Sequence, residues 1–234
     1  MSKTTIQAAN TSAFRSPLSA LLITLLLTPC ALAEDSKYPL VFKDDFTAGS
    51  KHWQPTDAAA WKIVEQDGSN VYSLHQQSKY EPPFRSPHNI SLVKNQSVGN
   101  FDLQTRVITT TRDYGHRSMC LFFGYQDPSH FYYVHLGQET DDRANQIFIV
   151  NGAARIKIST KTTPGTPWDD QWHNVRILRD AETGSIEIYW DDMKTPIMTA
   201  QDKTFTWGSV GLGSFDDTGN WDDFHLYGTR AEKP

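Results

Sequence analysis

Arg117 to Ile158 reads RSMCLFFGYQDPSHFYYVHLGQETDDRANQIFIVNGAARIKI, and its pattern decides the fold. It divides into four short apolar runs, Met119 to Tyr125, His130 to Leu136, Gln146 to Val150 and Ala154 to Ile158, separated by polar turns such as Asn151-Gly152. Runs of this length, rich in aromatic and β-branched residues and bounded by turn formers, are strands joined as hairpins. The first run is apolar on both faces, as a central strand covered on both sides would be. The others set His, Tyr, Arg and Asp among the apolar residues, which gives a sheet with a polar surface.

The same period-two pattern extends outward in both directions. Upstream it predicts strands at Leu40 to Phe46, Trp61 to Glu65, Val71 to His75, Ile90 to Val93 and Phe101 to Thr110. Downstream it predicts them at His173 to Arg179, Ser185 to Trp190, Ser209 to Gly213 and Asp223 to Tyr227. No window holds a 3.6-residue apolar stripe of helical length. Val175 and Ile177 alternate with Asn174 and Arg176, and Ile186, Ile188 and Trp190 with Glu187 and Tyr189, so these two runs form a hairpin with one wet face. The chain is all-β, with too many short strands for one flat sheet, and two packed antiparallel layers solve the problems of core and edges together. Thr160 to Pro167, with two prolines and a glycine, reads as a surface loop.

The ends set the compartment. Lys3 and Arg15 precede an apolar run from Leu18 to Leu27, and Ala31-Leu32-Ala33 is a small-x-small cleavage site, so residues 1–33 read as a signal peptide and 34–234 as one domain. No later run approaches the ~20 apolar residues of a membrane span. The chain carries 22 Lys and Arg against 27 Asp and Glu, a net charge of −5. The first 33 residues hold Lys3 and Arg15 and no acid, so the remainder is more acidic still. That balance argues against nucleic acid and polybasic membrane contact. The expectation is an exported monomer, periplasmic or extracellular. Of the two cysteines, Cys30 falls in the leader and Cys120 in an apolar run, so the domain has no intrachain disulfide and Cys120 reads as a buried small hydrophobe.

Three longer segments carry a resemblance. VFKDDF at 41–46, QWHNVRILRDAETGSIEIYWDD at 171–192 and GSVGLGSFDDTGNWDDFHLYG at 208–228 resemble the concanavalin A-like lectin/glucanase superfamily. Within it the chain looks most like secreted laminin-G-like and 3-keto-disaccharide hydrolase type domains. The resemblance implies a jelly-roll sandwich with a ligand site on the concave sheet, and leaves catalysis open, since the fold serves lectins, hydrolases, lyases and adhesion modules. Family 16 glycoside hydrolases of this fold carry Glu-x-Asp-x-x-Glu on one strand. Here Glu187, Asp191 and Asp192 stand in another order, which disfavours the paired-carboxylate mechanism. The Gln-Ile-His strand of one alginate-lyase family is also missing, because Phe148 follows Gln146-Ile147.

Candidate site residues fall in three groups. Arg85, His88, Arg106, His116, Arg117, Tyr133, His135, Arg143 and Asn145 form the first. Guanidinium groups bind carboxylates and sulfates through paired hydrogen bonds, and His135, Tyr133 and His116 are the candidate acid–base groups for hydrolysis or elimination. Tyr125, Tyr132 and Tyr133 are candidate stacking platforms, while Trp172, Trp190, Phe122 and Phe148 fall at core positions. Asp216, Asp217 and Asp222, with Asp223 and the distant Asp44-Asp45, would suit a structural calcium ion; no cofactor is required. The competing reading of every group is an ordinary wet sheet edge or solvated loop. The expected function is recognition of an acidic or oxidised saccharide, with hydrolysis or elimination open, against the alternative of a non-catalytic lectin-like or adhesion module.

Overall fold

The computed structural model describes residues 1–4 and 36–231. Apart from its first four residues, the expected signal peptide lies outside them. The described residues contain no helix long and apolar enough to cross a membrane.

Among the described residues sixteen strands form two antiparallel sheets. Sheet I runs β11 (Ser159–Lys161), β14 (Met198–Gln201), β13 (Ser185–Trp190), β12 (His173–Asp180), β6 (Val98–Thr109), β16 (Gly219–Arg230), β4 (Ser69–Leu74), β3 (Trp61–Gln66), with β1 (Leu40–Asp44) also on β16. Sheet II runs β10 (Ile156–Lys157), β9 (Gln146–Asn151), β8 (His130–Gly137), β7 (Ser118–Asp127), β15 (Ser209–Ser214), β5 (Asn89–Val93), β2 (Trp53–Pro55). The expected two-layer sandwich is therefore present. β7 lies centrally, between β8 and β15, and the β12–β13 hairpin pairs Ile177 with Ile188 and Arg176 with Tyr189, as the alternation requires.

The strands that the pattern missed are short edge or near-edge pieces. β2 ends in Pro55, while β11 and β14 pair with each other around polar Thr160 and Thr199. β11 takes Thr160 and Lys161 out of the expected loop. The run expected at Ala154 to Ile158 shrinks to Ile156–Lys157, because the bend that follows β9 extends through Ala154.

Between the sheets lies one apolar core, in which Leu103, Val107, Leu121, Phe123, Val134, Ile147, Ile177, Ile188, Leu212 and Trp221 are buried. Sheet II also has a second apolar layer on its outer side: Ile90, Cys120, Phe122, Tyr125, Phe131, Tyr133, Phe148 and Val150. Strict alternation would send Tyr125 inward with Leu121 and Phe123. Gly124, at φ +56, sits in a β-bulge where the pairing with β8 slips, and the slip turns Tyr125 outward onto Phe131. The irregular segment from Gln76 to His88 straps across this layer and packs Tyr80 and Phe84 on it.

Candidate functional site

At one end of sheet II's outer side, where the second apolar layer gives way to loops, lies a depression of about 200 Å³. β8 sends Phe131, Tyr133 and His135 to this side while Tyr132, Val134 and Leu136 enter the core. His135, the last of the three, forms part of the wall. Arg85 comes from the strap, His116 from the turn before β7, Asp141 and Arg143 from the β8–β9 loop, Arg155 from the turn after β9, and Phe215 and Asp216 from the loop after β15.

His135 is 6 % exposed, and its Nδ1 lies 2.9 Å from the carbonyl oxygen of Arg143. A carbonyl only accepts, so Nδ1 carries the proton and Nε2 presents a lone pair. Nε2 is buried without a partner. Burial, and after it the positive charge of Arg155, lowers the pKa from 6.5 to about 4, so the ring is neutral at pH 7. Its plane stacks on Phe215 at 5.9 Å.

Arg155 is held over two aromatic faces, 4.6 Å from the Phe148 centroid and 4.4 Å from that of Phe215. Its Nη1 donates to the Tyr133 hydroxyl at 2.7 Å. Tyr133 is buried beneath, and desolvation pushes its pKa far above the ordinary phenol value. The tyrosine thus braces the guanidinium from below. Arg106, Arg117 and Arg176 each pair with a carboxylate. Among the described residues Arg85, Arg143 and Arg155 make no ion pair, and all three line this depression. Asp141 is occupied in its own loop, with Oδ1 accepting from the backbone N–H groups of Arg143 at 2.6 Å and Ala144 at 2.7 Å.

Of the residues expected to form a site, the structure brings together Arg85, His116, His135 and Arg143 on the rim and Tyr133 underneath, with His88 edge-on to Phe215 at 5.2 Å. Asp216, expected as a metal ligand, stands on the same rim. Others go elsewhere. Arg106 belongs to sheet I, where it pairs with Asp222 at 2.6 Å and Asp223 at 2.7 Å, so the expected convergence of its strand with β8 does not occur. Arg117 is 1 % exposed and turns inward to Asp170 and the carbonyl of Thr109. Asn145 is wholly buried and ties the β8–β9 loop to Thr163 and Thr166. Tyr132 points into the core with its hydroxyl on Asp202, and Tyr133 is covered, so neither offers an open stacking face. Tyr125 lies toward the far end of β7. Trp172 is half-buried under Arg106 rather than in the core.

The acidic residues do not form one ligand set. Asp217 is buried and accepts from Tyr114 at 2.8 Å and from the Ser118 N–H at 2.8 Å; Asp222 is taken by Arg106. Asp44 accepts from the Phe46 N–H and the Trp53 indole. Among the described residues no group of three or more His, Cys, Asp and Glu is placed to hold a metal ion. Sequence reasoning missed Arg155 and Phe215. Arg155 falls in the expected run Ala154 to Ile158, whose alternation marks it only as outward-facing, and Phe215 sits between a strand and an acidic turn, outside any periodic pattern.

No family model matches the chain, and no curated protein matches it in sequence. Its shape is similar to solved structures. A protein of unknown function with a galectin-like fold from Bacillus subtilis superposes with TM-score 0.56 at 14% identity, over 83% of this chain and 98% of that one. Domain 4 of AbnA, a GH43 extracellular arabinanase from Geobacillus stearothermophilus, in complex with arabinotriose, gives 0.55 at 11% identity over 84% and 96%. The carbohydrate binding module CBM66 from Bacillus subtilis gives 0.53 at 16% identity over 75% and 95%. At such identities the likeness shows the fold, a jelly-roll sandwich of the concanavalin A-like type.

Proposed function

We propose that this is an exported carbohydrate-binding domain whose depression at the end of sheet II recognises an acidic saccharide, one bearing carboxylate or sulfate groups. The observation that carries the reading is the gathering of Arg85, Arg143 and Arg155 without carboxylate partners around one hollow. Unpaired guanidinium groups at a shared rim match a polyanionic ligand, because each forms charge-assisted, forked hydrogen bonds with an oxyanion. The neutral His135 complements them by offering Nε2 as an acceptor for a sugar hydroxyl, and Phe215 supplies an apolar edge. With a conjugate acid near 4, His135 is a hydrogen-bond acceptor rather than a base tuned to neutral pH. That favours recognition over turnover. The solved structures of similar shape include a carbohydrate binding module and an arabinotriose complex, and export agrees with the leader-like first 33 residues.

Titration of the purified domain with uronate, sulfated and uncharged oligosaccharides of equal length tests the reading, with product formation followed in the same samples. The acidic ligands bind, more weakly as salt rises. Replacing the exposed Arg85 and Arg143 together by alanine lowers that affinity by tenfold or more, about 1.4 kcal/mol per decade, with an unchanged melting temperature. Acidic ligands that bind the folded double variant as well as the parent protein remove the proposal. The uronate and sulfate arms separate the two anion chemistries.

A further inference from the structure

A second hollow lies at the opposite end of the same sheet. β7 runs from Ser118, beside the arginine-lined depression, to Tyr125 and Gln126, so the two ends are roughly 20 Å apart at ~3.3 Å per residue. The second hollow, about 590 Å³, is lined by Ser97, Tyr125, Gln126, Trp207 and Ser209 among others, and shares no residue with the first.

Two backbone features build it. The bulge at Gly124 turns Tyr125 outward, and Gly208 lets the segment carrying Trp207, just before β15, close on β7, since a Cβ there would stand 2.3 Å from the carbonyl carbon of Gly124. Val98 and Gly208 exchange backbone hydrogen bonds at 3.0 and 3.1 Å, which brings Ser97 alongside. Gln126 Nε2 donates to the Trp207 carbonyl at 3.2 Å and fixes the register.

The chemistry here differs from that of the first hollow. Among the described residues no carboxylate lines it, and its one cation, Arg230, donates to Gln96 at 2.5 Å and to the Val41 carbonyl at 3.2 Å. The Ser97 hydroxyl is buried without a partner, and among the described residues neither the Trp207 indole N–H nor the Tyr125 hydroxyl has a hydrogen-bond partner. Trp207 is half-buried and stacks on no other ring of the described residues. An available indole face beside uncommitted donors and acceptors, with no carboxylate among the described lining residues and a single guanidinium whose donors are engaged at the edge, matches a ligand having a C–H face and a rim of hydroxyl groups. We infer that the Trp207–Tyr125 hollow is a second saccharide site, selective for an uncharged sugar, so that one sheet carries an acidic and a neutral subsite at its two ends.

The test uses uncharged oligosaccharides of glucose, xylose and arabinose, added to the full domain while the Trp207 indole N–H signal is followed by NMR, assigned with Trp207→Phe. At least one neutral series shifts that signal and binds. Trp207→Ala lowers its affinity tenfold or more, and Tyr125→Phe, which keeps the ring on Phe131, lowers it a few-fold. Arg85→Ala with Arg143→Ala leaves neutral binding unchanged, so failure here is separate from failure of the acidic site. The inference is overturned if no neutral series moves the Trp207 signal, or if neutral affinity survives Trp207→Ala in a folded protein.

Discussion

The outer faces of the two sheets start from the same alternating strands and are finished in opposite ways. On sheet I most of the outward charged groups satisfy one another, while Asn174 Oδ1 and Asn220 Oδ1 are left without a partner. Arg176 clasps Asp102 through Nε at 2.9 Å and Nη2 at 2.7 Å, Gln104 donates to the same carboxylate at 3.2 Å, Tyr189 donates to Glu187 at 2.5 Å, and Arg106 holds Asp222. On sheet II the middle of the outer face is aromatic and roofed by the strap, and the two hollows with uncommitted polar groups lie at its ends. Overall polarity therefore does not locate a binding surface here. A face dense in charge can have little left to offer, while an apolar face can carry unused donors and acceptors on its rim.

The largest test of that contrast removes the second apolar layer. Phe148 is 1 % exposed and supports both Tyr133 and Arg155, so Phe148→Ala costs about 4 kcal/mol in urea unfolding, the usual scale for emptying a buried aromatic site. Leu178, half-buried on sheet I beside Asp102 and Glu187, costs under about 1 kcal/mol on the same change. Equal losses would mean that the sheet II layer is not a second core.

Next in size, Arg176→Ala leaves the fully buried Asp102 without its cation and costs about 3 kcal/mol. Acidic and neutral saccharide affinities stay at parent values. A change in either would show that the sheet I face takes part in binding after all.

The smallest effect is a pH dependence localised to His135. The unfolded ring takes up a proton below pH 6.5 and the folded ring only near 4, so the unfolded state binds more protons across that window and stability falls as pH drops through it. At pH 5 the loss from this group is about 2 kcal/mol relative to pH 7. Denaturant midpoints of parent and His135→Gln at both pH values measure it. A variant that loses as much stability as the parent would place the titration elsewhere.

Much of this was legible in the chain. Alternation of Ile177 and Ile188 against Arg176 and Tyr189 depends only on the two-residue period of a strand, and the structure keeps it. His135 was visible as a polar residue breaking an apolar run and Arg143 as a cation in the polar turn after it, and both reach the rim. Arg106 and Arg117 have the same local signature and end elsewhere, because which sheet β6 joins and which way the turn before β7 folds depend on β12, β16 and Asp170, all distant in sequence. Tyr125 moves to the outer face through a one-residue slip that alternation does not encode.

Local order thus belongs to the sequence: the strands, their turns, the buried and wet sides of most of them, and the two-layer architecture follow from side-chain period and turn chemistry. Pairing belongs to the tertiary structure. Whether an arginine meets a carboxylate or is left free is decided by which strand and loop lie next to it across the fold, and the two hollows of sheet II exist because distant segments come together around groups that no neighbour satisfies.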